Sequence, residues 1–200
     1  MIRTRPIAAP GLRIGLLGGS FNPAHEGHLH ISRIALARLR LDRVWWLLSP
    51  GNPLKANAPA ALPRRLDAAH HVLDAHPRIV PTGIERDLGT VYTIDTIAAL
   101  QRLYPSVHFV WLMGADNLSQ FHRWHRWSEI MHRIPVAVMA RPGEQLRAGL
   151  SKTATRFATA RLPQRDAAAL PGRAPPCWTM LSHATSPLSS TALRNSGAWA

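Results

Sequence analysis

The sequence predicts an α/β fold: a doubly wound, mostly parallel sheet with helices on both faces and a small C-terminal helical portion. Three observations carry this prediction. Short apolar runs of strand length alternate with longer stretches whose apolar residues recur at helical spacing. The clearest runs are closed by Gly, Pro or a polar cluster. The chain holds 200 residues, 46% of them hydrophobic, which is enough to build a core within one domain.

The elements follow in order. Residues 13–17 form an apolar run that leads into Gly18-Gly19 and reads as the first strand. Residues 27–40 read as a helix with Ile31, Ile34, Ala35 and Leu39 on one face. Arg38 falls on that face and must snorkel or lie at its edge. Residues 44–48 are a second strand, closed by Ser49-Pro50-Gly51, and 62–75 a helix stopped by Pro77. Ile79-Val80 is a short third strand, and Ile94, Ile97, Leu100 and Tyr104 mark another helical stripe. Residues 107–113 form a strand ending in Gly114. Residues 124–132 read as a helix and 136–140 as a strand closed by Arg141-Pro142-Gly143. From 144 to 176 periodicity is poor, and one or two peripheral helices with a loop are expected before a last strand at 178–181. The expectation is a single domain over 1–200, with a core at 12–142 and a C-terminal portion at 143–200.

Charge narrows the partners. The net charge of +13 suits a nucleic-acid surface, or it reflects an arginine-rich composition. The arginines are dispersed rather than striped, and Lys55 and Lys152 are the only lysines, which favours the second reading and no nucleic-acid partner. A small anionic substrate still benefits from the field. Cys177 is the single cysteine, so no intramolecular disulfide can form, which fits a reducing compartment. No apolar run approaches the roughly 18 residues of a membrane span. The short apolar run after the basic N-terminus is too brief for a secretion signal. A cytoplasmic protein without a membrane partner is expected.

The chemistry concentrates in Gly18 to His28, GGSFNPAHEGH. Gly18 and Gly19 let backbone approach a ligand closely. The helix starting near Gly27 points amides and a positive dipole end at the same place, which favours an anion. His25 and His28 fall just before and within its first turn, where both imidazoles reach a phosphate and can stabilise transition-state charge. Backbone amides of Ser20 and Phe21 extend the phosphate loop. A pair of histidines also suits a metal, but no third ligand at a sensible spacing accompanies them. His122 and His125 form a second such pair, read as surface or rim residues.

GGSFNPAHEGHL resembles the (H/T)xGH signature of the nucleotidyltransferase superfamily. Further clusters are similar to those of nicotinate-nucleotide adenylyltransferases. They are Ser49 to Lys55 (SPGNPLK), Val91 to Thr96 (VYTIDT), Gly114 to Leu118 (GADNL) with Trp124 and Trp127, and Leu188 to Arg194 (LSSTALR). Together they cover the chain from Leu16 to Arg194. Val91 departs from that pattern, which usually has Ser there.

The resemblance implies a Rossmann-like fold and a reaction in which ATP and nicotinate mononucleotide give deamido-NAD and pyrophosphate. It implies His25, His28, Lys55 and Arg194 as catalytic residues. ATP would be held by Gly18, Gly19, Ser20, Phe21, His25, His28, Gly114, Asp116, Ser189, Ser190, Thr191 and Arg194. Nicotinate mononucleotide would meet Asn52, Lys55, Thr93 and Trp124, with Trp124 stacking on the pyridine ring. Mg²⁺ would be held mainly by substrate phosphates and not by a protein metal site. A homo-oligomer is compatible with all of this. A related adenylyltransferase using nicotinamide mononucleotide or phosphopantetheine is the nearest alternative. His25, the NPLK segment and the GADNL block argue against phosphopantetheine, where Thr would stand in place of His25. A nucleic-acid-binding protein, or a tRNA synthetase fragment suggested by HEGH, is the alternative from another class.

Overall fold

The computed structural model describes residues 5–50, 59–140 and 143–182. The strands are β1 (Arg13–Gly19), β2 (Arg43–Leu48), β3 (Ile79–Thr82), β4 (His108–Gly114), β5 (Val136–Ala140), β6 (Arg161–Leu162) and β7 (Trp178–Ser182). They form one seven-stranded sheet in the order β3-β2-β1-β4-β5-β7-β6. Every pairing is parallel. Parallel strands are covered on both faces, so their sequences are almost continuously apolar. Val44 to Leu48 and Val136 to Ala140 are buried throughout.

The alternation of side chains along a strand builds two cores from one sheet. Trp45 enters one core, its ring 5.3 Å from Tyr104 and 5.7 Å from Phe109. Its neighbour Trp46 enters the other, stacked on Phe21 and donating its indole N–H to Ser32 Oγ at 2.8 Å. Truncating either fully buried indole to Ala costs about 3–5 kcal/mol.

On the Trp46 face lie α1 (Glu26–Arg38) and α2 (Leu62–Leu73). On the Trp45 face lie α3 (Ile84–Leu88), α4 (Thr93–Leu103), α5 (Ala115–Gln120) and α6 (Trp127–Arg133). The short helices α7 (Glu144–Gly149) and α8 (Lys152–Arg156) add Ala148 and Ala154 to the same core. The predicted architecture is therefore present, with corrections in detail. The buried face of α1 is Leu29, Ser32, Ala35 and Leu36, with Leu39 beyond it, while Ile31 and Ile34 are only half-buried. Arg38 is exposed, so it has no need to snorkel. Residues 124–132 are not one helix: Phe121–Arg123 is a 3-10 turn, and α6 begins only after Arg126, which takes a left-handed φ of 50°. α2 ends at Leu73 because Asp74 and Ala75 turn left-handed at φ 44° and 57°, before Pro77 is reached. The segment from 143 to 182 is more than a helical appendage. It places β7 beside β5 and β6 at the sheet edge, and a 3-10 stretch, Gln164–Gly172, buries Ala167 and Leu170 on the Trp46 face.

β1 has β2 on one side and β4 on the other, so the strand order reverses between β1 and β4. Ligands of such sheets bind beyond the carboxyl ends of the strands at this point. The pairing of β1 with β2 runs to Gly19↔Leu48, whereas that of β1 with β4 ends at Leu17↔Leu112. The last residues of β1 and β4 are thus unpaired with each other, and the crevice opens there.

Candidate functional site

β1 delivers the chain to this crevice, and a turn through Ser20 to Ala24 leads into α1. Phe21 holds a left-handed φ of 44° yet is 1% exposed. A bulky residue there stores about 1–3 kcal/mol of strain, which burial of the ring beside Trp46 offsets. Its ring also lies 4.6 Å from that of His28 and occupies the space beside Gly19, where a Cβ would meet it at 3.3 Å. Phe21 is thus an aromatic anchor of the loop.

His25 is the N-cap of α1 and is buried. Its Nδ1 accepts the Gly27 amide at 3.1 Å, and the His25 amide donates to His28 Nδ1 at 3.2 Å. This is a capping box built from two imidazoles. The His28 amide donates to the His25 carbonyl at 2.8 Å. Two helix amides that the sequence offers to an anion are therefore used within the turn. In exchange, both rings have Nδ1 as an acceptor, which assigns the proton of each neutral imidazole to Nε2. The rings are 3.9 Å apart between centroids. The pair is thus two Nε2–H donors held in register by backbone. An imidazolium could not accept either amide.

Gly18 has a packing role that the sequence reading did not contain. A Cβ there would meet Trp111 Cη2 at 2.5 Å, so the missing side chain makes room for a core indole. The same Trp111 stands edge-on to Trp124 at 6.2 Å. Trp124 is half-buried and also packs on Phe121 at 5.0 Å. Thr93, half-buried, opens α4. Its neighbour Tyr92 stacks on His125 at 4.3 Å, and Asp95 pairs with Arg126 at 3.9 Å. These contacts bring the Thr93 and Trp124 segments together, through residues that flank them.

Gly114 closes β4, and a Cβ there would meet Asp116 Oδ1 at 2.3 Å, because the carboxylate folds back over the strand end. Asp116 lines a cleft of about 380 Å³ with Ser119, His122, Arg123, Glu144 and Arg147. The His122 Nδ1 is buried without a hydrogen-bond partner among the described residues. His122 is thus a rim residue of this cleft, and His125 is apart from it under Tyr92. Asn52, Lys55, Ser189, Ser190, Thr191 and Arg194 lie outside the described residues. Among the described residues no group of three His, Cys, Asp or Glu could hold a metal ion. No helix among them is long and apolar enough to cross a membrane.

Sequence reasoning missed Arg65 and Glu85. Arg65 is 1% exposed and donates to the Ala60, Ser20 and Ser49 carbonyls. The signal was available: Leu62, Arg65, Ala69 and Leu73 share the buried face of α2, and one of them is an arginine. Glu85 is buried in the first turn of α3 and accepts from Thr96 Oγ1 at 3.1 Å. No spacing in the sequence marks it.

Comparison with known proteins fits this geometry. Residues 16–196 match the cytidylyltransferase-like family. The chain is 56% identical over 186 residues to a protein of Cereibacter sphaeroides named "Probable nicotinate-nucleotide adenylyltransferase", covering 93% of this chain and 98% of that one. It is 54% identical to a protein of the same name from Methylorubrum extorquens, covering 92% and 99%. Among solved structures, nicotinic acid mononucleotide adenylyltransferase of Plasmodium falciparum complexed with NaAD superposes with a TM-score of 0.71 at 13% identity, covering 92% of this chain and 83% of that one. That likeness concerns the fold. With the fold, the histidine-capped loop and these relatives in agreement, the chain belongs to the cytidylyltransferase-like family and, within it, to the nicotinate-nucleotide adenylyltransferases.

Proposed function

We propose that this chain transfers AMP from ATP to nicotinate mononucleotide, giving deamido-NAD and pyrophosphate by direct in-line attack. One observation carries the chemistry: His25 and His28 are locked as paired Nε2–H donors at the end of β1, beside the opening between β1 and β4. The identity of the relatives supports the choice of substrates.

A mononucleotide phosphate oxygen attacks the α-phosphorus of ATP, the bond from that phosphorus to the bridging oxygen breaks, and pyrophosphate leaves with the electron pair. A phosphate monoester is already a nucleophile near neutral pH, so no base and no covalent enzyme intermediate are needed. The protein's task is positioning and charge stabilisation. His25 and His28 donate to phosphate oxygens where charge develops. Gly18 to Phe21, Gly114, Asp116, Ser189, Ser190, Thr191 and Arg194 hold ATP, with Arg194 on its phosphates. Lys55 contributes a point charge, and Asn52, Thr93 and Trp124 receive the mononucleotide. Mg²⁺ would be held mainly by the nucleotide phosphates and would supply neutralisation of their charge. Cys177, a buried thiol, has no part in the transfer and is consistent with a cytoplasmic location.

The purified protein is expected to release pyrophosphate from ATP, Mg²⁺ and nicotinate mononucleotide, and less with nicotinamide mononucleotide in a parallel assay. Equal turnover would move the substrate to either pyridine nucleotide. No turnover with either would end the reading.

A further inference from the structure

Arg65 is a buried cation with no carboxylate within 4.0 Å among the described residues. Taking a guanidinium out of water costs several kcal/mol unless its donors are satisfied. Burial pushes this one below its ordinary range. Here the donors meet backbone carbonyls only. Nε donates to Ala60 at 2.7 Å, and one terminal nitrogen donates to Ser20 at 2.7 Å and to Ser49 at 2.9 Å. The choice of carbonyls is specific. Ser20 belongs to the loop that ends in the His25 cap. Ser49 follows β2, and Ala60 precedes α2. Ser49 and Ala60 are the two ends of the segment that carries Asn52 and Lys55. Two further bonds join the same parts: the Ser49 amide to the Gly19 carbonyl at 3.0 Å, and the Ala60 amide to Asn22 Oδ1 at 3.3 Å.

We propose that Arg65 is a positioning residue for adenylyl transfer: its planar guanidinium fixes the phosphate loop at Ser20 against both ends of the 49–60 segment, and so sets the separation of the two substrates. The proposal rests on the reaction assigned above. A packing role would be filled by any apolar side chain of similar size, without the cost of burying charge. A fork of fixed donors can hold three carbonyls in one plane, which a lysine ammonium on a flexible stem cannot. A positive charge that has no carboxylate beside it among the described residues, set behind a site for polyanions, is also favourable to the ligands.

The test compares the wild type with Arg65→Lys and Arg65→Ala in the pyrophosphate assay, alongside separate calorimetric titrations with ATP and with nicotinate mononucleotide. Arg65→Lys is expected to lower kcat about 100-fold, because a displacement on the order of 1 Å between reactants has that effect. Each substrate alone should bind within about threefold of wild type, because each half-site stays formed. Methylguanidine should restore Arg65→Ala at least about tenfold, and methylammonium should not, because only the former supplies the planar fork. A folded Arg65→Lys enzyme with wild-type kcat overturns the proposal. So does a loss confined to substrate affinity, or failure of both variants to fold, either of which would make Arg65 a binding or structural residue. An inactive wild type would instead defeat the assigned reaction, which the same assay reports separately.

Discussion

Glu85 is buried in α3 and shares the single Thr96 hydroxyl with Thr90 Oγ1 at 2.9 Å and the Tyr92 carbonyl at 3.3 Å. Burial pushes its carboxyl up from 4.5 to about 7, with the Thr96 hydroxyl pulling weakly the other way. In the unfolded chain this group ionises near 4.5, so between there and about 7 the unfolded chain sheds a proton that the folded chain keeps. The stability it contributes is present below that window and is lost as pH rises through it. The loss approaches roughly 3 kcal/mol. Glu85→Gln removes the titration, so urea melts between pH 5 and 8 should show a flatter decline in the variant. Parallel profiles would mean that Glu85 does not titrate there. Nothing in the sequence announced this carboxylate, because its burial comes from α3 and α4 meeting the sheet. Gly18 was legible as a needed glycine, but its packing against Trp111 was not, since Trp111 stands far away along the chain.

At the level of elements, α1 unites a structural and a chemical requirement in one turn. The sequence placed His25 and His28 at its start, and that placement is what the structure has. What the spacing could not say is that each imidazole uses Nδ1 to cap the helix, leaving Nε2 as the donor. The two roles can be separated. Gln at the third helical position can still accept the cap amide, as in a capping box, but carries no imidazole. His28→Gln should keep near wild-type stability and lose at least about 100-fold in rate. His28→Ala should lose the rate and also about 0.5–2 kcal/mol of stability. Denaturant melts and steady-state rates measure the two separately. Equal stabilities in the two variants would mean that the cap contributes nothing. The boundary errors have a common cause: α2 stops early and the predicted 124–132 helix breaks where Asp74, Ala75 and Arg126 adopt left-handed backbone. Non-glycine residues take that conformation under tertiary constraint, which a propensity reading does not contain.

For the whole molecule, the charge of +13 suits a polyanionic substrate, and the proposed reaction takes its Mg²⁺ with the nucleotide. EDTA should therefore abolish turnover yet leave the melting temperature of the ligand-free enzyme within about 1 °C, a shift below roughly 0.5 kcal/mol. A large fall in melting temperature would mean that a metal is part of the folded protein. The sequence by itself determined the alternation of strands and helices, the parallel sheet and the loop carrying His25 and His28. Each is written in local periodicity or in residues close along the chain. Only the tertiary structure decided that β7 returns beside β5, that Trp111 lies under Gly18 and edge-on to Trp124, and that Arg65 joins Ser20, Ser49 and Ala60. These are contacts between residues far apart in sequence. They exist because buried polar groups and close-packed rings must be satisfied by whatever the fold brings beside them, and no local pattern encodes that neighbour.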